Sequence, residues 1–154
     1  MRKLKLYLDT SVMSHLFVDD RPEKMEETNQ FWEDVINGKY KVFISPIVLG
    51  ELRNCQEPKR SQMFTKLDQV DYIVLEETKG VRELADEYIT KGVLTEKSRA
   101  DCLHIAFAVF YDCDIIVSWN FKHLVNFRTI NKVKIVNATN NYREISIVNP
   151  TMLL

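Results

Sequence analysis

Four residues, spread widely along the chain, have types and settings that could do chemistry together: Asp9, Glu51, Asp101 and Asn120. Asp9 follows the apolar run Leu6-Tyr7-Leu8 and stands directly before Thr10-Ser11. A carboxylate there suits a divalent cation, and it suits the capping of a helix equally well. Glu51 falls within PIVLGELRN, three and four residues after Val48 and Ile47, so a helix puts it on their apolar face. An acid on such a stripe needs either a partner or an edge position from which it reaches water. Of the candidates, Glu51 is the one whose burial most demands a partner. Asp101 opens ADCLHIAFAVF, and between Cys102 and Tyr111 the only ionisable side chain is His104. Asp101 also completes Ser98-x-x-Asp101, a capping-box pattern whose acid suits the helix dipole, and the two roles are compatible. Asn120 follows DIIVSW. By type it is a loop or cap residue, yet its amide oxygen could serve a metal directly or through water.

Other chemistries have less to stand on. His15, His104 and His123 show no metal-ligand spacing, and His104 on an apolar helix reads as a satisfied core residue or one that orients a neighbour. Cys55, Cys102 and Cys113 are odd in number and form no C-x-x-C, which argues against both a disulfide framework and a zinc site. Buried thiols in a reducing cytoplasm are the expectation. There is no G-x-x-x-x-G-K-[ST], G-x-G-x-x-G or G-x-S-x-G, so nucleotide-triphosphate hydrolysis, dinucleotide binding and serine esterase chemistry are set aside.

The elements that must position these residues alternate in type. KLKLYLD predicts a first strand ending at Asp9, followed by a helical TSVMSHLF and a second helix from Pro22 to Gly38. YKVFIS predicts a strand, PIVLGELRNCQ and KRSQMFTKLDQV helices, and DYIVLEE a strand. TKGVRELADEYITKGVL is amphipathic, whereas KSRADCLHIAFAVFYDC is apolar nearly all round and predicts a central buried helix. DIIVSW predicts a strand and NFKHLVNFRTINKV a helix; KIVNA and EISIV are two weaker strand candidates. This order predicts a parallel sheet covered by helices on both faces, with any ligand at the carboxyl ends of the strands.

At 154 residues the chain suits one domain, 1–154, and its 45% hydrophobic and 28% charged content is that of a globular protein. Four Gly and four Pro leave little room for disorder. No stretch approaches the length of a membrane span, and the N-terminal apolar run is too short for a signal peptide. Net charge is −1, so the whole molecule does not attract nucleic acid, but charge is uneven. From Ile115 to Arg143 there is no Asp or Glu, while Lys122, Arg128, Lys132, Lys134 and Arg143 all fall there. This predicts a local basic surface or simply a solvated face.

Four short pieces, YLDTSV, SPIVLGEL, SRADCLHIAFA and IIVSWNFKHL, stand in the order and context found in the PIN-domain family, which the chain resembles over nearly its whole length. The resemblance implies an α/β fold, a three-layer α/β/α sandwich with a central parallel sheet, that binds Mg²⁺ or Mn²⁺ and cleaves RNA. It implies that Asp9, Glu51 and Asp101 form the acidic metal-binding core. Asn120 stands where the family usually has Asp; one negative charge is lost and an oxygen acceptor is kept. The donor chemistry agrees, because Mg²⁺ prefers oxygen ligands and keeps several waters. Hydrolysis by water would leave a 3′-hydroxyl and a 5′-phosphate. Family members of this size are often VapC-like toxins, which implies a homodimer and a small antitoxin partner over the active-site groove. A stand-alone RNA-processing nuclease and a catalytically silent RNA-binding module are the rival expectations.

Overall fold

The structure is a computed structural model that describes residues 2–154. Five strands form one sheet: β1 (Lys5–Leu8), β2 (Lys41–Ile44), β3 (Tyr72–Val74), β4 (Ile115–Val117) and β5 (Ser146–Val148). Every pairing is parallel, in the order β3-β2-β1-β4-β5. β1 is central, and Leu6, Tyr7 and Leu8 are fully buried. Strands covered on both faces read as continuous apolar runs, which is why KLYL, KVFI and IIV are legible despite their shortness.

Among the described residues, seven α-helices connect the strands: α1 (Thr10–His15), α2 (Pro22–Ile36), α3 (Pro46–Arg53), α4 (Lys59–Leu67), α5 (Lys79–Thr90), α6 (Arg99–Phe110) and α7 (Phe127–Thr139). Strand order advances from β1 to β3, then returns past β1 to β4. Right-handed crossovers therefore place α1–α4 on one face and α5–α7 on the other. The packing agrees, since α1 meets α2, α3 and α4, whereas α5 meets α6 and α7. The result is a three-layer α/β/α sandwich. The reversal between β1 and β4 opens a crevice beyond their carboxyl ends.

α6 is the central buried helix that its composition predicts, with Cys102, Ile105, Ala106, Phe107 and Ala108 fully buried. Its contact with α5 is close. A Cβ on Gly80 would lie 2.3 Å from Phe110 Cε1, so glycine is needed there for its missing side chain.

The chain departs from the sequence expectation after β4. NFKHLV forms turns instead of helix, and α7 begins only at Phe127. It then runs to Thr139 and absorbs KIVNA, which is not a strand. Asn126 explains the start, because its Oδ1 accepts the Thr129 N–H at 2.8 Å while its amide nitrogen donates to the Phe121 and Lys122 carbonyls at 2.9 and 3.1 Å. Val133, Val136 and Asn137 then share a buried face at helical spacing, which overrides the β propensity of KIV. Asn126→Ala should cost about 1–2 kcal/mol in denaturant unfolding, because it removes a cap and frees the preceding turn. An unchanged unfolding midpoint would show that the turn holds without it.

Candidate active site

Asp9 is the N-cap of α1 at the end of the central strand, so capping and site membership coincide. It is 3% exposed. Its Oδ1 accepts the Ser11 N–H at 3.0 Å and the Ser11 hydroxyl at 2.5 Å, and its Oδ2 accepts the Ser118 hydroxyl at 2.5 Å. Each serine is oriented in turn by a backbone donor: Trp119 N–H to Ser11 Oγ at 2.8 Å, and Asn120 N–H to Ser118 Oγ at 2.9 Å. Because those serine oxygens accept from the backbone, their own protons are free to point at Asp9. Burial pushes the Asp9 carboxyl above its ordinary value and outweighs the help of His104, Ser11 and Ser118; Asp101 adds to the rise.

Glu51 comes in from α3, across the loop from Asp9. Its Oε1 accepts the Thr10 hydroxyl and His104 Nε2, both at 2.9 Å. The hydrogen bond from His104 is the main reason its carboxyl is held below the ordinary value. Its side chain is 45% exposed, so the burial anticipated for Glu51 falls on Asp9 instead. The α3 stripe is turned just far enough to leave Glu51 at the rim, behind buried Val48 and Leu52.

His104, 3% exposed, is the hinge of a buried chain of contacts. Its Nδ1 lies 2.7 Å from the Tyr7 hydroxyl, which lies 2.8 Å from Ser45 Oγ at the end of β2. The Tyr7 hydroxyl donates to Ser45 Oγ, and the His104 ring links that hydroxyl to Glu51, which Nε2 meets on its other side. Burial raises the Tyr7 hydroxyl well above its usual value, so it stays protonated.

Asp101 lies in the first turn of α6, one turn before His104. Ser98 takes the N-cap position but makes no side-chain cap bond, so the capping box does not form. Asp101 turns instead to His123, whose Nδ1 is 2.8 Å from Oδ2. The NFKHLVN turn makes this contact possible. Asn120 Oδ1 accepts the His123 N–H at 2.9 Å, which folds the turn back so that His123 reaches α6.

The residues thus gather around one crevice, but not as a closed cage. Among the described residues, no three His, Cys, Asp or Glu side chains converge closely enough to enclose a metal ion. The donors are nevertheless right in kind for a hard cation: three carboxylates, one of them buried with no Lys or Arg paired to it. Glu51 Oε2 and Asp101 Oδ1 have no hydrogen-bond partner within the described residues.

Residues 6–122 match the family model described as PIN domain. The chain belongs to the PIN-domain family. Solved structures that share the fold of this PIN domain include VapBC2 from Rickettsia felis bound to a DNA fragment from their promoter. That likeness has 18% identity and a TM-score of 0.57, over 95% of this chain and 98% of the other. VapBC-1 from nontypeable Haemophilus influenzae gives 12% identity and a TM-score of 0.59, over 96% and 99%. At such identities the likeness speaks for the fold alone. No curated protein matches the sequence significantly.

Several residues of the PIN-domain crevice were not singled out from sequence. Ser11 and Ser118 shape the Asp9 carboxylate, Thr10 touches Glu51, and His123 touches Asp101. Only the serines left a signal, since each lies beside the end of a strand where ligands gather. Asn120 Oδ1 accepts the His123 N–H, which ties this residue of the PIN domain to the turn after β4. The three thiols are free: Cys102 and Cys113 are buried, Cys55 partly so. No helix of the described residues is long and apolar enough to cross a membrane.

Proposed function

We propose that this PIN domain is a Mg²⁺- or Mn²⁺-dependent endoribonuclease. The observation that carries the reading is the buried Asp9 carboxylate. It lies at the switch point of a parallel sheet, has no paired Lys or Arg, and sits in a crevice rimmed by Glu51 and Asp101. Asp9, Glu51 and Asp101 would hold the ion, and the remaining positions would fall to water and substrate phosphate. Bound there, the cation would activate water and neutralise charge on the phosphate. The chain's own residues do the positioning: Ser11 and Ser118 aim Asp9, His104 and Thr10 fix Glu51, and His123 holds Asp101. Water displaces the 3′ oxygen at phosphorus, leaving a 3′-hydroxyl and a 5′-phosphate.

The purified protein should cleave single-stranded RNA with Mg²⁺ or Mn²⁺ and lose that activity in EDTA. Cleavage that persists in EDTA overturns metal dependence. Retained RNA binding with no cleavage under any divalent ion favours the silent RNA-binding module, the reading that Asn120 and the open carboxylate arrangement recommend.

The finer role is that of the toxin in a toxin–antitoxin pair, acting as a homodimer with a small antitoxin over the groove. Chain size and the likeness of fold to VapBC complexes support it. Expression should then arrest growth, and co-expression of the neighbouring gene should relieve the arrest. Growth unaffected by an active ribonuclease would favour the RNA-processing role.

A further inference from the structure

The sequence stretch free of acid divides in three dimensions. Lys134 pairs with Glu144, and Arg143 with Asp112 and Asp114, so these two cations are spent at the surface. Lys122, Arg128 and Lys132 instead line a single cleft of about 980 Å³ between the β4–α7 turn, the start of α7 and the loop after α5. Lys122 and Arg128 are exposed and form no ion pair among the described residues. Lys132 gives one of its three N–H donors to the Gly92 carbonyl, at 2.9 Å, which fixes it against the opposite wall. The one carboxylate lining the cleft, Glu96, is held by Arg99 through contacts of 2.7 and 2.8 Å.

Two further features point to the occupant. His123 lines the same cleft and touches Asp101, so the cleft and the carboxylate crevice are neighbours across this one side chain. Phe121, 44% exposed, lines it as well; its ring makes a T-shaped contact with Trp119 and carries the Lys24 ammonium 5.0 Å from its centroid, which leaves the other face for a base. Unpaired cations in one cleft with an exposed ring are what a single strand needs: charge for successive phosphates and a face for a base. Arg128 and Lys132, four residues apart on α7, share one helix face.

We propose that this cleft is the binding track for single-stranded RNA on one side of the scissile phosphate. Lys122, Arg128 and Lys132 engage the backbone, and Phe121 stacks on a base. This deepens the ribonuclease reading and rests on it for the nature of the strand. An acidic segment of a partner protein is the competing occupant.

The test uses a short fluorescein-labelled single-stranded RNA of mixed sequence. Binding is measured in EDTA with Asp9→Asn as background, and cleavage kinetics are measured in the otherwise wild-type chain. Lys122→Ala/Arg128→Ala should weaken binding by about tenfold or more and flatten the salt dependence by roughly 1.4 in log K against log salt, two contacts' worth for a single strand. In cleavage it should raise KM and leave kcat within about twofold, the signature of lost uniform binding. Phe121→Ala should weaken binding on the order of five- to tenfold with an unchanged salt slope. Lys79→Ala, paired with Glu83 far along α5, is the control that should change nothing. An active enzyme whose RNA binding and KM ignore the double variant overturns the track and leaves the ribonuclease reading standing. RNA binding that falls as expected in a protein that never cleaves upholds the track and removes the reading. Capture of an acidic peptide, unaffected by excess RNA, overturns the proposal in favour of a protein partner.

Discussion

Asp9→Asn should abolish metal-dependent RNA cleavage, by on the order of a thousandfold or more, and at the same time make the metal-free protein more stable. The activity loss follows from removing the buried charge on which the cation would depend, a loss of several kcal/mol of transition-state stabilisation. The stability gain follows from burial. The Asp9 carboxyl is raised above its ordinary value of 3.8, chiefly by desolvation. For an acid raised in the folded state, the stabilising contribution is fully present below about pH 3.8 and is lost as pH rises through the folded value. At neutral pH the wild-type protein therefore carries an unfavourable buried charge that the amide does not. In EDTA at pH 7 the variant should be more stable by about 1 kcal/mol, and the gap should close toward acid pH. Mn²⁺ should then raise the wild-type Tm and leave the variant's unchanged, since only binding to the folded state stabilises it. A variant that still cleaves RNA would sink the site. A variant that loses stability in EDTA would show that the serine hydroxyls matter more than the desolvated charge.

His104→Leu should carry the largest stability cost of the substitutions considered, about 2–3 kcal/mol, together with a strong loss of activity. The cost arises at Tyr7. Its hydroxyl is fully buried between Ser45 and His104, and the substitution leaves it half satisfied. The activity loss arises at Glu51, which keeps only Thr10 to hold it. Glu51 also loses the hydrogen bond chiefly responsible for lowering its carboxyl from 4.5. A lowered acid contributes stability above its unfolded value and loses that contribution as pH falls through the folded one. The difference between wild type and variant should therefore shrink below pH 4.5, by only a few tenths of a kcal/mol because Glu51 is half exposed. Tyr7→Phe combined with His104→Leu should recover part of the stability, because removing both partners leaves less unsatisfied, yet recover none of the activity. Recovery of activity in the double variant would show that His104 does not act through Glu51.

Much of this was legible in the residues. KLYL, KVFI and IIV are apolar runs because a doubly covered parallel sheet demands them, and Asp9 stands out as the acid that ends the first. α6 declared its burial by having no polar face. What escaped depended on contacts between distant segments. Glu51 looked buried because helical spacing fixes a stripe but not its rotation against the core. Ser98-x-x-Asp101 looked like a capping box, but His123 competes for Asp101 from 22 residues away. NFKHLVN looked helical because its turn rests on Asn120 and Asn126 bonding to backbone groups, which periodicity does not register. The five basic residues offered either a local basic surface or a solvated face, and only their acid partners separate the two spent from the three that share a cleft.

The arrangement around Asp9 also bears on how the molecule comes into being. Ser118, which holds the second oxygen of Asp9, is made 109 positions after it, and Asp9 N–H reaches the Val117 carbonyl. β1 and β2 pair across a far shorter span than β1 and β4. A growing chain that leaves the ribosome can therefore lay β1 beside β2 and add α1–α4 long before β4 emerges to dock on the other side. Until β4 emerges Asp9 lacks the Ser118 contact, and until Arg99–Phe110 emerge it has no α6 beside it. The crevice is completed in one late docking event, so a truncated or stalled chain carries the residues of the site without carrying the site.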